Sequence, residues 1–250
     1  MASEAALSSI PAAPGLTQAE RVADIFVAPS KSFEDIRRNA TWWLPFLLLV
    51  IFSSAVGYSV QKQVGFERAY TNHLHDTPTQ EDRINQLPPE QKAHTLEISA
   101  KITAGFTYGF PVLLALGFAL YSLILWAAFN FGLGAETTYG QVYAVTWYAA
   151  LPYLLTSLLT IITLWFGGSP ETYDYTNPVG TNLAFYLPDA GPAVKALLSA
   201  LDLIKLWSLA LQVIGMAIIA KKTIMQSALI VVGWFVFVLA IGAGLAAAFS

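Results

Sequence analysis

Cysteine is absent from this 250-residue chain. Its absence excludes disulfides, thiolate catalysis, iron–sulfur clusters and cysteine zinc sites together, and leaves the compartment open. Charge is scarce as well. Asp, Glu, Lys and Arg make up 12% of the residues, about half of the roughly 25% usual in soluble domains. The net charge is −3, and no basic tract offers a nucleic acid an electrostatic footprint. No Walker lysine loop, GxSxG, HExxH or GxGxxG occurs. ATP-driven pumping by this chain and the common hydrolase and zinc-protease arrangements therefore lack support. No converging catalytic set is visible either, so neither an enzyme nor a cofactor is expected.

All three histidines, His73, His75 and His94, fall in one polar stretch. His73, His75 and Asp76 could offer three ligands, and His94 shares a helical face with Glu97. A real metal site needs three or four converging ligands, themselves held in place by hydrogen bonds. Exposed, solvated side chains are the expectation, and no metal.

What the chain does have is apolar length: 56% of residues are hydrophobic. A helix needs roughly 20 apolar residues to cross a bilayer. Five runs qualify, at about 42–60, 103–131, 141–166, 196–220 and 224–249. The fold class is therefore all-α, a bundle of five transmembrane helices in residues 42–249. Residues 1–17, rich in Ala, Ser and Pro, read as a disordered tail. Residues 18–41 read as an amphipathic juxtamembrane segment. Thr17 is placed to cap a first short helix, with Glu20 three residues on; Pro29 interrupts it, and a second runs from Ser30 through Arg38. Ile25, Phe26, Phe33 and Ile36 form its apolar face, which is expected to lie in one leaflet or to dock a partner.

Trp42 and Trp43 open the first span at the headgroup level. The polar loop 61–101 is mostly helical by pattern, with helix starts at Thr79 and at Pro88-Pro89. In the second span Pro111 predicts a kink, and Gly105 with Gly109 a close helix approach. Pro152 lies in the middle of the third span; with Pro111 it would supply the broken backbone that a transport site often uses. The loop 167–192 has three acidic residues and no basic one, as suits the outside. Arg37, Arg38, Lys221 and Lys222 flank spans and place the N-terminus in the cytoplasm. A plasma (inner) membrane location is expected.

Two features could carry chemistry inside the membrane. Asp202 and Lys205 are three residues apart in the fourth apolar run, on one helix face. Charges at membrane depth cost about 2.5–3.5 kcal/mol each on insertion scales, so they pair, face protein, or sit near the surface. The second feature is a hydroxyl stripe on the third span, Thr146, Tyr153 and Thr160 with Thr156 beside it. Ordinary interhelical hydrogen bonding explains such a stripe; a substrate or ion path is the sharper alternative.

Three segments together resemble the Yip (Ypt-interacting protein) domain family. They are the entry RVADIFVAPSKSFEDIRRNATWWLP, the third span with its Tyr-Ala-Ala-x-Pro element at Tyr148–Pro152, and the fourth with Asp202, Trp207 and Gly215. The resemblance implies a five-span membrane protein with no known enzymatic activity, whose eukaryotic relatives are linked to Rab-type GTPases and vesicle trafficking. This chain has an N-terminal tail of only about forty residues and lacks their Asp-Leu-Tyr-Gly-Pro element, which leaves a small GTPase without support as partner. The expected function is a non-enzymatic membrane scaffold or interaction protein. Membrane lipids, other membrane proteins or a second copy of the chain would be its partners. The alternative is a small transporter or channel built on Asp202, Lys205 and the hydroxyl stripe.

Overall fold

The computed structural model describes residues 15–75, 78–167, 169–187 and 190–248. The expected disordered tail lies, up to residue 14, outside the described residues. The all-α expectation is met: the described residues contain helices and a single isolated bridge, Asn182 to Asp202. The helices are α1 (Gln18–Val27), α2 (Pro29–Arg38), α3 (Trp43–Gln63), α4 (Phe66–His75), α5 (Pro78–Asn85), α6 (Pro89–Ala127), α7 (Tyr139–Ala149), α8 (Tyr153–Phe166), α9 (Pro192–Ala200), α10 (Leu203–Ala220) and α11 (Ile224–Ala248). Five rods are long and apolar enough to cross a membrane: α3, α6, α7 with α8, α10 and α11.

Local chemistry sets the helix ends. Thr17 Oγ1 accepts the Glu20 N–H at 3.2 Å and Glu20 Oε2 accepts the Thr17 N–H at 2.8 Å, a reciprocal cap that starts α1. Pro29 then opens α2 at its first turn, where a missing N–H costs nothing. At Pro152 the missing N–H and the ring's clash with the preceding turn divide the third span into α7 and α8. Pro111, in contrast, sits inside an uninterrupted α6. At 39 residues α6 is about 58 Å long, nearly twice a bilayer's apolar thickness. Its polar first turns, from Pro89 to about Lys101, thus project beyond the apolar region.

The α6 rod ends in a π-helical turn, Ala128–Gly132. There Asn130 closes the loop to α7: its Nδ2 donates to Thr137 O at 2.8 Å, and its Oδ1 accepts from the Thr137 N–H at 3.0 Å. The fourth span departs from the expected single helix. It breaks at Leu201–Asp202 into α9 and α10, because the Asp202 carboxylate takes the Lys205 N–H (2.9 Å) as a cap.

Helix α10 is the centre of the molecule, packed by α2, α7, α8 and α11. Half of its apolar span is buried within the protein, against 6% for α11, an outer helix. The close helix approach is not at Gly105 and Gly109, around which a Cβ would meet nothing within 4 Å. One close approach lies at Gly57, where a Cβ would come 3.0 Å from Thr107 on α6, and a tighter one at Gly215.

Candidate functional site

The α1–α2 hairpin is latched onto the membrane bundle. Ile25, Phe33 and Ile36 are fully buried in the main core beside Val145, Tyr148, Leu211 and Met216. Phe26 packs edge-on to Trp207 of α10 at 5.7 Å. The face expected to enter a leaflet is therefore consumed by α7 and α10. An amphipathic stripe carries the same pattern whether lipid or protein covers it.

Gly215 makes the docking possible. A Cβ there would lie 2.6 Å from Val145 Cγ1 and 2.9 Å from Phe33 Cε1. Phe33 can reach α10 only because that position is bare.

A buried ion pair fixes the two short helices to each other. Arg21 and Asp35, each almost wholly buried, approach to 2.6 Å. The Arg21 guanidinium also donates to Asn39 O (3.0 Å) and Thr41 Oγ1 (2.8 Å), while Ser32 Oγ donates to Arg21 O (2.8 Å). Arg38 approaches the second Asp35 oxygen at 3.1 Å. From the bundle, the Tyr148 hydroxyl donates to Gln18 Oε1 at 2.7 Å. The guanidinium's partners Asp35, Asn39 O and Thr41 Oγ1 lie in α2 and the strap leading to α3. Trp42, at the end of that strap, stacks on Trp147 (5.9 Å) rather than facing only the headgroups, whereas Trp43 is exposed.

The hydroxyl stripe is divided between two cavities. The smaller, about 240 Å³, lies among α6, α7, α8, α10 and α11. Its polar lining is Tyr121, Thr146, Tyr153, Lys205, Ser208 and Gln212. Thr146 Oγ1 donates to Val142 O (3.0 Å) and lies 2.9 Å from Ser122 Oγ and 3.4 Å from Gln212 Nε2. Three membrane helices thus meet at one hydroxyl. Ser122 and Gln212 gave no signal in sequence, since each stands alone in an apolar run. The larger cavity, about 680 Å³, is lined by residues of α3, α4, α6 and α8 and of the loop after α8. Thr156 and Thr160 face it, with Ser53, Thr103, Thr107 and Tyr173 among the other lining groups. Thr160 spends its proton on Thr156 O, at 2.8 Å.

Asp202 and Lys205 do not form a side-chain pair among the described residues. Asp202 accepts from the Thr181 hydroxyl and the Lys205 backbone N–H. Lys205 Nζ turns instead to Ser199 O, at 3.0 Å. Partial burial works against the Asp202 charge, but these hydrogen bonds outweigh it and hold its pKa below the usual carboxylate value. Asp202 therefore ties the 181–187 loop to the start of α10, and Lys205 alone reaches a cavity.

At this far end α4 is bound to the loop after α8. Asn72 Nδ2 donates to Pro170 O (2.9 Å) and Tyr173 O (2.8 Å), and Arg68 pairs with Glu171 at 3.1 Å. His73 Nδ1 is 3.8 Å from Asp174 Oδ1, and His75 pairs with Glu81. Burial opposes the Asp174 charge, yet neighbouring His73 and the two Thr176 hydrogen bonds keep its pKa low. Asp76, the third ligand considered in sequence, lies outside the described residues. Among the described residues no three His, Asp or Glu side chains gather as metal ligands.

A family model described as the Yip1 domain matches residues 23–246. No curated protein and no solved structure matches the chain.

Proposed function

This chain belongs to the Yip1 domain family and is an integral membrane protein, and on that premise we propose that it works as a non-enzymatic scaffold. It would hold the α1–α2 hairpin as a rigid docking surface at the membrane boundary. The observation that carries this reading is the latch itself. A buried arginine–carboxylate pair and Gly215 fix the inner face of the hairpin, while Lys31, Glu34, Arg37 and Arg38 remain exposed. A hairpin that only anchored in lipid would need no such pair. Other membrane proteins or a second copy of the chain are the partners this surface suits.

The hairpin end is proposed to face the cytoplasm of a plasma (inner) membrane. Arg37, Arg38, Lys221 and Lys222 at that end, and the base-free loop 167–192 at the other, support the orientation.

The test is site-specific photo-crosslinking in the native membrane from positions 31 and 34, with position 68 as reference. Discrete adducts from the hairpin and none from position 68 are expected. Equal patterns, or no discrete adduct from the hairpin, would refute the reading.

The small polar cavity favours a second reading, passage of a small solute or ion. Lys205, Tyr153 and Thr146 come together there from three helices. In proteoliposomes, solute or proton flux that falls when Lys205→Met and Gln212→Leu are introduced would establish it. Flux no greater than in empty vesicles would remove it.

A further inference from the structure

A third concavity, about 610 Å³, opens where the C-terminal ends of α2 and α10 converge. It is lined by Glu34, Arg37, Arg38, Ala217, Ile218 and Lys221. Three cations face one carboxylate in it. Neither Arg37 nor Lys221 has an ion-pair partner among the described residues, whereas Arg38 leans on Asp35. The cleft is built rather than incidental. Gln141 Nε2 donates to Arg37 O at 2.8 Å, tying the end of α2 to α7. The core beneath α2 is the packed latch.

We propose that this cleft binds the phosphodiester headgroup of an anionic membrane lipid, with a hydroxyl-bearing headgroup preferred. Four observations converge on that ligand. First, the cleft sits at the C-terminal end of the membrane helix α10, beside the juxtamembrane α2, at the level where lipid phosphates lie, and basic pockets at the ends of membrane helices take anionic headgroups. Second, Arg37 and Arg38 present planar forks suited to two phosphate oxygens, with Lys221 as a point charge beside them.

Third, Lys221 is the one non-glycine residue with positive φ among the described residues, at +52°. A Cβ makes that conformation costly, and helix ends of this kind usually carry glycine. A lysine kept there at a cost points to use of its ammonium. Simple neutralisation of helix C-terminal carbonyls would be served as well by a lysine one turn earlier, without strain. Fourth, Glu34 limits the net positive charge of the cleft. It can accept a hydrogen bond from a headgroup hydroxyl, which a choline headgroup lacks. Ala217 and Ile218 supply the apolar wall against which the glycerol and upper acyl carbons lie. The inference needs only the membrane location; it shares Glu34, Arg37 and Arg38 with the scaffold surface but requires no protein partner there.

The test titrates fluorescent phosphatidylglycerol, and separately fluorescent phosphatidylcholine, into the full chain in neutral detergent. Phosphatidylglycerol should bind more tightly. Lys221→Gly should weaken it about fivefold, as expected for one cation near a lipid surface, while leaving the thermal midpoint unchanged or raised, because glycine relieves the strain. Arg37→Gln should weaken it similarly, and Arg68→Gln at the far end should not. A lysine with no part in the cleft would leave lipid affinity unchanged in Lys221→Gly, whatever happens to the thermal midpoint. Equal affinity for the two lipids, or no loss in both cleft variants, would overturn the proposal. So would displacement of the probe by glycerol phosphate as effectively as by unlabelled phosphatidylglycerol, which would assign the cleft to a soluble phosphate ester.

Discussion

The two ends of the bundle use the same kinds of residues in opposite ways. At the hairpin end Arg21 and Asp35 meet with side chains 1% and 3% exposed, surrounded by further hydrogen bonds and packed aromatic rings. At the far end Arg68 and Glu171 meet 103 positions apart in sequence at 3.1 Å, but 52% and 67% exposed. Both are arginine–carboxylate pairs, and the second joins more distant parts of the chain. Solvent decides which one matters. Water screens the exposed pair and offers each partner a substitute, whereas the buried guanidinium has no replacement for Asp35. One end is fixed by the folding of the bundle. The other is assembled from contacts that can open singly.

Breaking the buried pair should give the largest effect. Asp35→Ala leaves an uncompensated buried guanidinium and should cost about 3–5 kcal/mol, read as a lower thermal midpoint and rapid hydrogen exchange throughout α1 and α2. The double variant Arg21→Met with Asp35→Leu should recover much of that loss, though not all, because Asn39 O and Thr41 lose their donor. If Asp35→Ala alone is neutral, the latch does not hold the hairpin. Gly215→Ala comes next. Overpacking against Val145 and Phe33 should cost about 1–3 kcal/mol, reduced by the roughly 1 kcal/mol that alanine gains over glycine in a helix. Opening of α2 before the bundle melts is the expected signature.

Much of this architecture was legible in the residues. Five spans follow from apolar length, the α1 cap from Thr17 and Glu20, and the break at Pro29 from proline's missing donor; that rule alone does not separate Pro152, which divides the third span, from Pro111, which α6 runs through. The covering of the hairpin was not legible, because Ile25, Phe33 and Ile36 have the same spacing whether lipid or α10 lies over them. A signal existed: Arg21 is one turn before Ile25, on the apolar face, where a lone charge implies a buried partner. Asp35, 14 positions away on another helix, could not be identified as that partner without the hairpin angle. Asp202 misled for a related reason. Hydropathy averages over a window and passes through a single capping residue, so one broken rod reads as one span. The Thr146, Ser122 and Gln212 meeting point depends on helix rotation, which Thr146's neighbours in sequence do not reveal.

Acid should distinguish the ends more gently. The Asp202 pKa is lower folded than its ordinary value of 3.8. Its stabilising contribution is thus complete above that value and is lost as the pH falls through the folded pKa. Below about pH 4 the Lys205 amide should lose exchange protection, while the Gln141 amide, capped at the hairpin end by the hydroxyl of Thr138, keeps its own. Protection at Lys205 that is flat down to pH 2 would show that the Thr181 and Asp202 tie contributes nothing.

The smallest effect belongs to the exposed pair. Arg68→Ala removes the Glu171 contact but leaves Asn72 bonded to both Pro170 O and Tyr173 O, so α4 stays joined to the loop. Exposed pairs contribute about 0–1 kcal/mol, and the thermal midpoint should barely move at moderate salt. At low salt, where screening weakens, a small loss should emerge. Asn72→Ala serves as the internal standard at the same seam. It strips two backbone carbonyls of a donor and should cost more, about 1–2 kcal/mol. A large, salt-independent loss in Arg68→Ala would mean that the far end is sealed from water as the hairpin end is, and the contrast between them would collapse.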